Sequence, residues 1–287
     1  MKIDHARIWP SRLGLITLTG LVGLSIGWQI LSLFMLYDDE GYVLHSLNEF
    51  SRYGTLYDQV YSQYGPLYYL VAGGAAWSFG FEWTHDLSRV VTGIAWLATA
   101  LAGGVITFRL SGSRLAGAVG MAATSAHLGQ MSSEPMHPGN LLTPLIAGGA
   151  AWSIFLWQRN RHLGFFVCIA VLSAACAMIK INVGAFVALA GGMWWWFQAD
   201  WRKISGPRGN MLGLGIAIII PALLLHRHLS TAWGITFVAL VATAIGTACW
   251  LTTRKPQRNL SPLHLGSAVI AGSITLGGIA LATIATG

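Results

Sequence analysis

The chain has 287 residues, of which 54% are hydrophobic and only 9% are charged. A soluble domain carries about 25% charged residues, so this composition excludes an ordinary soluble protein and predicts an all-α polytopic membrane protein. The formal net charge of +7 does not indicate a nucleic-acid partner, because in such a chain the placement of the bases matters more than their sum.

Ten apolar segments follow one another along the chain, and most approach the roughly 17–25 residues that a helix needs to cross a bilayer. They are 13–36, 64–80, 89–109, 115–131, 141–157, 163–179, 183–198, 211–225, 231–251 and 264–287. The first follows a basic stretch, as in a signal peptide, but it is too long and lacks a clear cleavage site, which favours a retained helix. The sequence therefore predicts a single transmembrane domain over 1–287, with one module over 13–200 and additional transmembrane helices over 201–287.

Residues 37–69 form the most polar stretch of the chain and follow the first apolar segment directly. They hold five of the ten acids, three of them consecutive at 38–40. The spacing of apolar residues over 39–53 predicts an amphipathic helix that ends at Gly54. Carboxylates grouped at the edge of a membrane segment indicate either a site at the membrane–water interface or a solvated loop with an aromatic belt.

The segment 64–80 decides the topology, because it is short and starts near a Gly-Pro pair. If it lies along the outer face instead of crossing, only four of the 17 bases fall outside, namely Arg52, Arg89, Lys180 and Arg227. If it crosses, eleven bases fall outside, against the positive-inside tendency. The charges therefore predict about nine transmembrane helices, a cytoplasmic N-terminus, and interfacial juxtamembrane helices within a long first outer loop over 37–88.

Three further outer turns carry candidate polar residues. They are 132–140 with Glu134 and His137, 178–184 with Lys180 and Asn182, and 226–231. Lys180 either extends its ammonium group to the lipid headgroups or binds a phosphate. Glu134 and His137 form either a solvated turn or part of a site. The histidines lack metal-ligand spacing, so no cofactor or metal is predicted, and a divalent metal stays an open alternative.

These features, in this order, resemble the GT-C superfamily of membrane glycosyltransferases, and most closely the branch with protein O-mannosyltransferases and the transferases that add aminoarabinose to lipid A. The likeness covers roughly residues 13–200. It is carried by Asp39-Glu40 after the first helix, Gly65-Pro66-Leu67-Tyr68-Tyr69, the loop from Glu134 to Asn140, and the turn Lys180-Ile181-Asn182-Val183-Gly184.

The chain departs from this pattern in two ways. It reads Ser62-Gln63-Tyr64-Gly65 where many relatives have a lysine before a Pro-Pro pair. It is also shorter than those relatives, which often add an extracytoplasmic domain, so we expect a short or truncated member.

The resemblance implies transfer of a sugar from a polyprenyl-phosphate carrier to a hydroxyl acceptor on the extracytoplasmic face. The implied base is Asp39, with Glu40 or Glu134 as a positioning or second acid. Lys180, with Arg52 or Arg89, is expected to stabilise the phosphate leaving group. Further substrate-binding residues are expected to be His137, Asn182 and Tyr64.

Two alternatives stay open at this stage. A transporter or permease would need ionisable residues at mid-membrane and broken helices in matching halves, whereas the charges here cluster at segment edges and no repeat is visible. A non-catalytic, degenerate scaffold is the other alternative, because the chain is short. The expected partners are the lipid-linked sugar donor and membrane lipid, with no nucleic acid, and the sequence leaves the oligomeric state open.

Overall fold

The helices of the membrane region lie close to their predicted bounds. The computed structural model describes residues 12–32, 39–129 and 134–198, with scattered positions between 215 and 281. The helices are α1 (Arg12–Ser32), α2 (Asp39–Tyr53), α3 (Pro66–Phe79), α4 (His85–Ser111), α5 (Arg114–Leu128), α6 (Gly139–Gln158), α7 (His162–Ala177) and α8 (Ile181–Gln198). No β-strand occurs among these described residues, so the all-α prediction is confirmed there. The predicted segments 211–225, 231–251 and 264–287 lie largely outside them.

Local sequence signals explain where the helices begin and end. Pro66 occupies the first turn of α3, where its missing N–H costs nothing, and Gly80 ends that helix in a left-handed conformation. The Thr84 side chain caps α4, which ends at the left-handed Gly112. Ser113 then caps α5 in the same way, so α4 and α5 are joined by a tight hairpin.

Side-chain contacts between α4 and α6 show the directions in which these helices run relative to one another. Near one end, the Trp96 indole donates to Asn140 Oδ1 at 2.6 Å. Near the other end, the Gln158 amide donates to the carbonyl of Arg109 at 3.1 Å. The residue numbers rise together along both helices, so α4 and α6 run parallel and the intervening α5 runs antiparallel to them.

The two ends of this bundle differ in charge. We call "acidic end" the end formed by residues 39–84, 134–138 and 178–180, and "basic end" the end formed by the turns at 109–114 and 158–162. The acidic end contains Asp39, Glu40, Glu49, Asp58, Glu82 and Glu134. The two turns of the basic end contain no acid and hold Arg109, Arg114, Arg159 and Arg161.

Helix α3 begins and ends at the acidic end. At its start, the Gly65 N–H donates to the carbonyl of Ile179, in the turn between α7 and α8, at 2.9 Å. Just beyond its end, the Trp83 N–H donates to Asn48 Oδ1 at 2.8 Å, beside the start of α4. Helices α2 and α3 therefore pack against one another at the same end of the bundle.

The chain is a membrane protein. Within the described residues, three helices are long and apolar enough to cross a bilayer, namely Gly14–Ser32, His85–Ser111 and Gly139–Gln158. They also expose large apolar side chains, such as Leu24 and Trp28 at 74% and 75%. Such exposure is unfavourable in water and is expected where the surrounding solvent is hydrocarbon.

Candidate functional site

Four of the predicted site residues meet at the acidic end, although they come from three distant parts of the sequence. His137 Nε2 lies 3.0 Å from Tyr64 Oη, 3.4 Å from Lys180 Nζ and 3.7 Å from a Glu134 carboxylate oxygen. We call this group the His137 cluster. It joins the start of α3, the loop before α6 and the turn between α7 and α8.

The hydrogen bonds of His137 indicate which of its nitrogens carries the proton. The Gly139 backbone N–H donates to Nδ1 at 3.1 Å, so Nδ1 is the acceptor and the neutral ring carries its proton on Nε2. Lys180 has an ammonium group, which can only donate. The histidine Nε2–H is therefore directed at the Tyr64 hydroxyl oxygen, its nearest acceptor in the cluster, and the lysine ammonium 3.4 Å from Nε2 is the cation that favours an oxygen anion at this point.

Lys180 is half-buried at the edge of this cluster. Its Nζ lies 5.3 Å from the centroid of the Tyr64 ring, and no carboxylate among the described residues forms an ion pair with it. Burial lowers the pKa of the Lys180 ammonium below its ordinary value, and the Glu134 carboxylate acts in the opposite direction. A bound anion would add to the effect of that carboxylate.

The loop that carries His137 is held in a strained conformation. Met136 has a φ of 58°, a left-handed value that is uncommon for a residue other than glycine. Its N–H donates to Thr92 Oγ1 at 3.0 Å, and its carbonyl accepts from the buried Tyr68 hydroxyl at 2.5 Å. Two helices therefore fix this turn, which places His137 with little freedom to move.

Gly65 accounts for the close approach of Tyr64 to Lys180. Besides the Gly65–Ile179 bond, the Leu67 N–H donates to the carbonyl of Met178 at 3.0 Å. A Cβ atom built on Gly65 would overlap that Met178 carbonyl, so a larger residue does not fit without a shift of the backbone. The glycine at this point, where the sequence departs from the Pro-Pro pattern, is therefore required by the packing of α3 against the turn between α7 and α8.

A second polar group joins the start of α2 to α4. Glu40 is only 4% exposed, and one of its oxygens accepts a hydrogen bond from the Ser88 hydroxyl. The other oxygen lies 3.2 Å from both Arg89 Nη2 and His85 Nδ1. We call this group the Glu40 cluster. It anchors the first turn of α2, and with it the backbone of Asp39, to the bundle.

The remaining predicted site residues are Asp39, Arg52 and Asn182. Asp39 is the first residue of α2, and Asp38 lies outside the described residues. Arg52 pairs with Glu82 at 2.7 Å in an exposed ion pair. Asn182 is exposed in the first turn of α8, where its side-chain oxygen accepts from the N–H of the next residue.

Sequence reasoning missed the polar residues of α4 that connect the two clusters. Ser88 belongs to the Glu40 cluster, Thr92 holds Met136, and Trp96 binds the side chain of Asn140, whose amide donates to the Glu134 carbonyl at 3.0 Å. These three α4 residues are spaced by four and are all buried. A polar stripe with that spacing on an apolar helix is the signal that would have identified them.

Comparison with protein-family models, with curated proteins and with solved structures finds no match. Among the described residues, no three histidine, cysteine or acidic side chains group in a way that could hold a metal ion.

Proposed function

We propose that this chain is a membrane glycosyltransferase of the GT-C type, which moves a sugar from a polyprenyl-phosphate carrier to a hydroxyl acceptor. The observation that carries the proposal is the His137 cluster, in which the half-buried Lys180 ammonium lies 3.4 Å from His137 Nε2 at the acidic end. A phosphate oxygen is the acceptor that this lysine fits best, because a charge-assisted hydrogen bond to an anion offsets the cost of burying the ammonium.

The proposed reaction is a single displacement at the anomeric carbon. The acceptor oxygen forms the new bond, its proton passes to the carboxylate of Asp39, and the bond to the carrier phosphate breaks. Lys180 takes the charge that develops on the departing phosphate, with His137, Tyr64 and Glu134 positioning its ammonium group. Glu40 and Arg89 act through the position of α2, while Arg52 and Asn182 are assigned to the outer parts of the substrates.

We also propose that about nine helices span the membrane, that the N-terminus is cytoplasmic, and that the acidic end is extracytoplasmic. Two observations support this topology. Helix α3 begins and ends at the acidic end, as expected of a helix that lies along the interface. The basic end collects four arginines in two short turns, as expected of cytoplasmic turns.

Binding of a polyprenyl phosphate to the purified protein tests the site. Lys180→Met should weaken binding by roughly ten- to a hundred-fold, the effect of losing a charge-assisted contact. Arg159→Met, which removes an exposed base at the basic end, is the control.

The pH dependence of binding is a second test. Wild-type affinity should fall as the pH rises through the lowered pKa of Lys180, and Lys180→Arg, whose side chain has a far higher pKa, should abolish that decline. Equal affinity of wild type and Lys180→Met would refute this assignment.

The same preparation tests the base. Asp39→Asn should abolish sugar transfer from the polyprenyl-phosphate donor in liposomes, while polyprenyl phosphate still binds with near-normal affinity. Loss of binding together with transfer would indicate a damaged site instead of a missing base. Near-normal transfer by the variant would remove Asp39 from the mechanism.

A further inference from the structure

A groove opens between α1, α4 and α5 near the basic end, far from both polar clusters. Its volume is about 660 Å³, within the roughly 300–1,000 Å³ that is usual for ligand sites. The wall is almost entirely apolar, with Leu18, Val105, Phe108 and Leu115 among its residues. Several of these side chains are exposed, so the groove opens to the side of the bundle, where a membrane supplies hydrocarbon chains.

Among the described residues, one charged side chain lines this groove. Arg114 is the first residue of α5, next to the capping Ser113, and the first turn of the helix contains no acid. The positive end of the helix dipole therefore adds to the guanidinium charge instead of offsetting it. In the part of the chain that the structure describes, the turns at 109–114 and 158–162 contribute further arginines and no acid, so the charge around this end of the groove is positive.

We propose that this groove binds one anionic phospholipid, with an acyl chain along the apolar wall and the phosphate at Arg114. The apolar wall selects a hydrocarbon chain, and the arginine that lines the groove selects a negative headgroup over a zwitterionic one. In the proposed topology, the basic end faces the leaflet in which anionic lipids are common. The site is separate from that of the sugar donor, which is assigned to the opposite end.

Native mass spectrometry of the purified full-length protein, with phosphatidylglycerol or phosphatidylcholine of the same acyl chains, tests the headgroup contact. The first phosphatidylglycerol should bind more tightly than the first phosphatidylcholine. Arg114→Gln should weaken that binding by roughly five-fold, the effect of one arginine near an anionic surface, and leave phosphatidylcholine unchanged. Arg159→Gln removes an exposed arginine that stacks over Phe155 at the same end, and it should have no effect. Equal effects of the two substitutions, or no lipid preference in wild type, would overturn the proposal.

A second pair of variants tests the groove itself and does not depend on the behaviour of the arginine variant. Ala118→Phe places a ring into the groove and should weaken the first binding step of both lipids. Val119→Phe introduces the same ring at the next position, which is 59% exposed and does not line the groove. It should leave both lipids unaffected. Equal binding by these two variants would show that the acyl chain does not occupy the groove.

Discussion

Arg89→Gln should destabilise the protein strongly, because it leaves the carboxylate of Glu40 buried without its main countercharge. Removing one partner of a buried ion pair costs roughly 3–5 kcal/mol. The Ser88 hydroxyl and the half-exposed His85 still contact that carboxylate, and the Arg89 side chain is itself 24% exposed. We therefore expect a loss near the lower limit, about 3 kcal/mol in the free energy of unfolding.

The matched control is a second arginine–glutamate pair with the same chemistry and little burial. The side chains of Arg52 and Glu82 are 55% and 69% exposed, so Arg52→Gln should change stability very little. Unfolding of the variants in detergent, followed by circular dichroism, gives both values. A double-mutant cycle with Glu40→Gln should yield a coupling energy of about 1–3 kcal/mol. If Arg89→Gln costs no more than Arg52→Gln, the Glu40 cluster does not anchor α2.

Two further predictions concern α3. Gly65→Ala should separate α3 from the Met178 carbonyl, lower stability by about 1–3 kcal/mol and weaken polyprenyl-phosphate binding, as measured by unfolding and lipid titration. Gly74→Ala in the same helix, where a Cβ meets nothing within 4 Å, is the control and should be neutral or stabilising; equal losses in both variants would contradict the packing argument. Single cysteines at Tyr61 and Glu82, both exposed, should react with an impermeant thiol reagent from the same side of the membrane. Labelling from opposite sides would mean that α3 crosses.

The helices could be predicted from the sequence because their signals are local. The amphipathic pattern over 39–53 predicted α2 with its observed bounds, and Gly54 follows it with a φ of 76°. The apolar segments likewise predicted α4 to α8 within a few residues at each end. Periodicity, glycine and capping residues act over one or two turns, so they can be recognised without knowledge of the packing.

The sites could be predicted only in part, because they depend on which helix faces meet. Tyr64, Glu134, His137 and Lys180 were predicted as site residues, but their mutual contacts required the relative rotation of three segments. The sequence also gave no basis for distinguishing the buried Glu40 from its neighbours in the acidic triplet. Its burial follows from the position of Ser88 and Arg89 on α4, which lie almost fifty residues away.

The buried polar residues of α4 connect the Glu40 cluster to the His137 cluster. Ser88 binds Glu40, and one turn further along the same face Thr92 binds the backbone of Met136, next to His137. A rigid helix of 27 residues therefore sets the distance between the first turn of α2 and the loop that carries His137. The proposed transfer between a base at Asp39 and a phosphate at Lys180 would need such a fixed separation, because a misplacement of about 1 Å can reduce a rate a hundred-fold. Substitutions at Thr92 should therefore impair the proposed transfer more than their distance from Asp39 and Lys180 in the sequence suggests.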